Sequence, residues 1–352
     1  MKMSSSQTQK SGNDSINIQA ESITFGLTYS DVKQIASDVF KNNFIQMSTI
    51  AADIAQRRAE EITEKFLHKL QNRNPKALNS THDPDFQYSL FTIQKEYAKS
   101  GDKNMGDLLV DILVERTKVE QRGLLQIVLN ESLAVVPKLT IPQLNALSII
   151  FSLKYAKYGI MNSLDMLKHY LSHCLTPFVT DLPKSQASYQ HLEYAGCGSI
   201  PTGILSGPVV IPNIFKSKYP GVFTKGFTKE QFENNIGQII GSEKLIIKCL
   251  RNNELLQFNV IDHETLKKAT HEIGINDEDH TKIKNFWNQY IMDDEEIKND
   301  LIHHNKNMSM LFEVWDNSPI QHIIAFPDLL NNISTMPKPS FAVIFCNRIQ
   351  SC

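Results

Sequence analysis

Near the start of the chain apolar residues alternate with polar ones: Ile16, Ile18 and Ala20, then Ile23 and Phe25, with Asn17, Gln19, Ser22 and Thr24 between. A period of two is that of a half-buried strand, so one or two short strands are expected. A two-stranded element alone is marginal in water. Ile16, Ile18, Ile23 and Phe25 are therefore candidates for self-association, against the same segment of another chain or against the body of the protein.

The period then lengthens. Val32, Ile35, Val39, Ile50, Ile54, Ile62, Phe66 and Leu70 recur largely at helical spacing, with no Pro or Gly across residues 32–70. Thr28 followed by Asp31 reads as the cap that opens this stretch. One continuous helix of this span would be about 60 Å long at 1.5 Å per residue. Such a rod exposes more apolar stripe than a small body covers, which predicts that it spans a bundle or packs on a second chain. Asp83 and Pro84 open a further helix that Ser100 and Gly101 end. Others are expected over 105–136, with a weak point at Gly123, over 140–158 behind Thr140, and over 163–175 behind Ser163.

After Thr176 the chain turns rich in Pro and Gly as far as Gly226, which marks a boundary or a long functional loop. Thr228 with Gln231 spells a capping box. Helices are expected near 242–250, 262–273, 277–291 and 293–304, and the apolar run 341–346 suits a buried strand or final turn. The fold class is mainly α. It reads as a tail with short strands (1–27), a helical bundle with a long first helix (28–176), a Gly/Pro-rich junction (177–227) and a smaller α-rich C-terminal domain (228–352).

Composition narrows the function. The 352 residues suggest about two domains. A net charge of -2 gives no basic field, which argues against nucleic acid as the primary ligand. Five cysteines, an odd number without Cys-x-x-Cys spacing, argue against a disulfide framework or a zinc ribbon and suit a reducing compartment. The first 14 residues are polar and lack the apolar core of a secretion signal. No apolar run reaches the roughly 20 residues of a membrane span. A cytoplasmic protein that does not engage membranes is expected.

Several segments resemble a known group. Residues 11–20 (Ser-Gly-Asn-Asp-Ser-Ile-Asn-Ile-Gln-Ala) and 27–32 (Leu-Thr-Tyr-Ser-Asp-Val) resemble the start of an uncharacterised bacterial family of LPO/Vpar type, with members in Legionella and Veillonella. Residues 107–111 and 125–131 are similar to its middle, and 191–197 (His-Leu-Glu-Tyr-Ala-Gly-Cys) to its second half. The resemblance implies no catalytic residue. The Asn17-Ile18-Gln19-Ala20 box also resembles N-terminal segments of bacterial phage-defence proteins.

The candidate chemistry is sparse. His191, Glu193 and Cys197 supply a base, an acid and a thiol within one short segment, the parts of a nucleophilic site; the plainer reading makes Cys197 a small buried hydrophobe. His169 and His173 share a helical face beside Cys174, but the spacing matches no zinc signature. Asp107, Asp111 and Glu115 also share a face, with Arg116, Lys118 and Arg122 to balance them. Asp293 to Glu296 suits a helix N-terminus, with His303 and His304 at the other end. No P-loop, Gly-x-Gly-x-x-Gly, His-Glu-x-x-His or Gly-x-Ser-x-Gly occurs, and no metal or cofactor is called for. Two readings follow. One is a homo-oligomeric interaction or assembly protein, with a protein partner or sensed ligand and a role in phage defence. The other is an effector enzyme whose site lies at the 175–227 junction around His191, Glu193 and Cys197.

Overall fold

The computed structural model describes residues 28–43, 49–77, 83–119, 123–159, 161–200 and 209–325. The expected N-terminal strands with Ile16, Ile18, Ile23 and Phe25 lie outside these residues, as does the apolar run 341–346. Among the described residues the protein is mainly helical, with two small two-stranded sheets. The chain divides into two units after Lys99, inside the span 28–176 read as one bundle.

The first unit holds α1 (Tyr29–Asn43), α2 (Thr49–Arg73) and α3 (Pro84–Ser100). Thr28 and Asp31 cap α1 reciprocally: the Thr28 N–H donates to the Asp31 carboxylate at 2.9 Å, and the Asp31 N–H to Thr28 Oγ1 at 3.2 Å. The single rod expected over 32–70 is not formed. α1 and α2 run antiparallel, since Lys33 pairs with Glu64 while Phe40 packs on Ala55 and Ala59. The physical reason is that the chain covers its own stripe. Ala55 and Ala59 are small enough to admit the Phe40 ring, and burial follows Ala55, Ala59, Ile62, Phe66 and Leu70. Ile50 and Ile54, placed on that stripe by period alone, stay exposed at 75% and 38%.

One amide joins all three helices. Gln94 of α3, 1% exposed, donates from Nε2 to the Ala36 carbonyl at 3.1 Å and to Thr63 Oγ1 at 2.9 Å. The Thr63 hydroxyl in turn donates to the Ala59 carbonyl at 2.6 Å.

The second unit begins with α4 (Lys103–Arg116) and α5 (Leu124–Val135), with Gly123 as the N-cap between them, at the expected weak point. α6 (Ile141–Ile150) opens on a complete Thr140–Gln143 capping box and runs into a π-helical turn, Phe151–Tyr155. α7 (Leu164–His169) runs into a second π turn, Tyr170–Leu175. The stretch 177–227 is not one long loop: α8 (Thr176–Val179), α9 (Gln186–Tyr194) and α10 (Ile211–Lys218) occupy much of it. Two of its prolines, Pro177 and Pro212, fall in first turns, where helices tolerate them.

α11 (Lys229–Asn235) starts on the expected Thr228–Gln231 box. The helix expected near 242–250 is instead a 3-10 turn, Ser242–Leu245, followed by β2 (Ile246–Lys248), paired antiparallel with β3 (Leu256–Phe258). β-branched Ile246 and Ile247 favour the strand. Asn252 turns the chain by accepting the Glu254 N–H on its side chain at 3.0 Å. α12 (His263–Glu272), α13 (Asp277–Asn288) and α14 (Asp294–His304) match expectation, and α15 (Met308–Asn317) is additional. Phe227, Phe258, Phe286 and Trp287 centre an aromatic core. Arg251 grips Asp300 of α14 with both guanidinium NH₂ groups and donates from Nε to the Val222 carbonyl at 3.1 Å.

Gly221 sits at the tightest approach. Its N–H donates to the Ile261 carbonyl at 3.0 Å, and a Cβ there would stand 1.8 Å from the Val260 carbonyl oxygen. Gly221→Ala is expected to lower stability by about 3 kcal/mol in chemical denaturation. Gly159→Ala, with open space around it, should stay within about 0.5 kcal/mol of the parent. Equal midpoints for the two variants would contradict this packing.

Candidate functional site

The segment expected to carry chemistry begins with α9, capped by Ser185, which accepts the Ser188 N–H at 3.4 Å. At its other end the Cys197 N–H donates to the Leu192 carbonyl at 2.9 Å and the Gly196 N–H to the Glu193 carbonyl at 3.0 Å. Gly196 has φ +76°. These two bonds around a left-handed glycine form a Schellman motif, in which the residue after the glycine is commonly apolar and packs back on the last turn. Cys197 occupies that position, buried like Leu192. The chain then enters β1 (Gly198–Ser199), paired antiparallel with β4 (Ile324–Ala325).

The three candidate residues are not brought into hydrogen-bond contact with one another; each has a different role. His191 Nδ1 lies 3.0 Å from Gln143 Nε2, which also donates to the Ser188 carbonyl at 2.8 Å. The amide is a donor, so Nδ1 accepts and the proton of the neutral ring belongs on Nε2. Glu193 accepts the Ile200 N–H at 2.9 Å and so holds the turn after the helix. Burial pushes the Cys197 thiol up to about 12, against a smaller opposing pull from the Lys138 charge. At neutral pH it is a thiol, the unreactive form.

The other sequence candidates separate as well. His169 and His173 stack with ring centroids 4.3 Å apart, and Cys174 is buried in the core. Glu115 pairs with Lys118 at 2.6 Å, while Arg116 turns inward and is 3% exposed. Asp293 and Glu296 form a complete capping box on α14. Among the described residues no group of three or more His, Cys, Asp or Glu is placed to hold a metal ion.

The strongest concentration of perturbed ionisable groups surrounds the two π turns. Such turns shift the helical hydrogen-bond ladder and often mark functional positions. The Tyr170 hydroxyl donates to the Ser152 carbonyl at 3.1 Å, joining one turn to the other. Lys218, at the end of α10, donates to the Leu153 and Ala156 carbonyls, both at 2.6 Å. Lys154 donates to the Gln321 and Ile323 carbonyls, both at 2.8 Å. The Tyr219 hydroxyl accepts the Tyr158 N–H at 2.6 Å. Lys157 pairs with the buried Asp262, the N-cap of α12.

Burial, and then the nearby Lys157 charge, pull the Lys218 ammonium down to about 8. Burial raises the Tyr219 phenol to about 12. Burial alone would raise the Asp262 carboxyl, but Lys157 and the Thr265 N–H together hold it below the usual carboxylate range. The Lys218 and Lys154 amines are enclosed by backbone carbonyls, an arrangement that fixes chain geometry. Sequence reading missed both lysines, because a lysine inside an amphipathic pattern looks like any solvated one. The one signal was the apolar setting of Lys218, between Phe215 and Tyr219 in a Pro-led helix.

A family model matches residues 26–324, from ahead of α1 into β4. The chain belongs to this uncharacterised Vpar-type family. No curated protein and no solved structure matches it. The match takes in both units, so the Schellman turn and the π turns of this Vpar-type protein both lie within the family's span. Among the described residues no helix is long and apolar enough to cross a membrane.

Two measurements test these assignments. Cys197 should resist a thiol reagent in native protein at pH 8 and react on unfolding; native labelling as fast as a free thiol would contradict its burial. Lys218 gives a pH signature. Its folded value is depressed, so between pH 8 and 10 the unfolded chain binds more protons, and stability gains a contribution that rises with pH. Lys218→Met should lose that rise in denaturant melts taken across the window. Parallel curves for the two proteins would refute the assignment.

Proposed function

We propose that this protein is a non-enzymatic interaction protein that self-associates, with the N-terminal apolar positions Ile16, Ile18, Ile23 and Phe25 as part of the contact. The observation that carries the reading is on α2. Ile50 and Ile54 stand one turn apart on the same face, exposed at 75% and 38%. Water-facing pairs of this kind are covered at little cost by a second copy, and most soluble assemblies are symmetric and built from one chain. The state of Cys197 supports the same reading, since a thiol held near 12 is no nucleophile at neutral pH. The contact does not need the α1–α2 stripe, because α1 and α2 cover each other.

The resemblance of residues 17–20 to defence-associated segments supports a role for the assembly in phage defence, with a protein partner or a sensed ligand for the helical body. A cytoplasmic setting agrees with the free thiols Cys197 and Cys249.

Light scattering on full-length protein should give a multiple of the 40.0 kDa chain mass. Removing residues 1–26, or replacing Ile50 and Ile54 by Asp, should lower that mass. A host expressing the full chain should restrict phage plating, and the truncation should abolish the restriction. A full-length protein that scatters as one chain, or variants that leave the mass unchanged, would overturn the proposal.

A further inference from the structure

Among the described residues of the first unit, a cleft of about 160 Å³ opens along the α1–α2 seam. Phe40 and Ala59 give it an apolar wall, Lys33, Lys41 and Glu60 bring charge, and Gln94 and Thr63 belong to its base. A cavity of about 150 Å³ takes a guest the size of benzene. The cleft is therefore scaled to a molecule of about six or seven non-hydrogen atoms.

The base holds an unanswered group. Gln94 Oε1 is buried and has no hydrogen-bond partner among the described residues. The amide cannot be turned round to cure this. Its NH₂ already serves the Ala36 carbonyl, which can only accept, and Thr63 Oγ1, whose own proton goes to Ala59. A buried carbonyl oxygen without a donor costs about 1–3 kcal/mol. Oε1 is closed to solvent as the cleft stands, so a guest's donor would have to part α1 slightly from α2 to reach it. The free energy of the missing bond then offsets part of the cost of parting the seam, which includes loosening the Gln94 contact with Ala36.

Charge selects the other end of the guest. Glu60 already accepts from Gln56 Nε2 at 2.9 Å, and Lys33 is paired with Glu64 outside the cleft. Lys41 is exposed and has no partner among the described residues. It lies five residues beyond Ala36, about 7.5 Å along the helix axis, within reach of a short guest seated on Gln94. An ammonium group would lose its hydration beside a neutral amide, so the donor at the base is a neutral O–H or N–H.

We propose that the α1–α2 cleft binds a small carboxylate carrying a neutral hydrogen-bond donor, with the donor on Gln94 Oε1 and the carboxylate at Lys41. Three matched probes test it by saturation-transfer NMR on the full chain: 3-hydroxybutyrate, butyrate without the hydroxyl, and 1,3-butanediol without the charge. 3-Hydroxybutyrate should bind at least about tenfold tighter than either of the others, the value of one good interaction. Lys41→Met should erase its advantage over the diol, and Gln94→Met its advantage over butyrate. Lys41 is on the surface, so that arm stands even where Gln94→Met fails to fold. Equal binding of 3-hydroxybutyrate and butyrate, or no transfer to any probe, would overturn the proposal and leave the oxygen to a trapped water. Neither result bears on self-association, which light scattering reads separately.

Discussion

A π turn shifts the helical hydrogen-bond ladder and frees carbonyl oxygens that something else must satisfy, and in the second unit Lys218 does this. Lys218 brings the end of α10 onto the Leu153 and Ala156 carbonyls. Lys154 reaches out from the same turn to the Gln321 and Ile323 carbonyls, just ahead of β4. One irregular turn thereby gathers segments that are far apart in sequence. β4 then meets β1, and β1 follows directly from the glycine turn after α9. A charged amine is costly to take from water. The depressed value of Lys218 shows that cost, and the carbonyls that enclose it offset it.

The same economy explains why the expected chemistry does not assemble at the junction. His191, Glu193 and Cys197 are the right residue types, but each meets a different structural requirement. Glu193 satisfies an N–H, His191 accepts from the amide that also closes the α6 cap, and Cys197 fills the apolar position of a helix exit. Six positions of sequence separation carried no information about which way those side chains face.

Several helix starts are legible where a side chain answers a backbone donor. Thr28 with Asp31, Thr140 with Gln143, Thr228 with Gln231 and Asp293 with Glu296 all act as their sequences imply. Such bonds span three residues and need nothing from elsewhere. The fold-back within 32–70 is not legible in the sequence, because a helical period does not say whether a stripe is covered by another molecule or by its own chain. The clue was Ala55 and Ala59, whose small side chains admit Phe40. The helices within 177–227 give little signal in the sequence, since a proline reads alike in a loop and in a first turn, where Pro177 and Pro212 stand. Gln94 and Lys218 gave little signal, since a polar residue on a helix looks the same whether water or a backbone carbonyl receives its proton.

The single Gln94 amide has a consequence for how the first unit tolerates change. Because it touches α1 and α2 at once, at the level of Ala36 and Thr63, it works as an internal index mark. Sliding either helix by one residue would rotate that contact away by about 100° and strand the amide in an apolar interior. A change in chain length between the helices would therefore leave their alignment fixed from within.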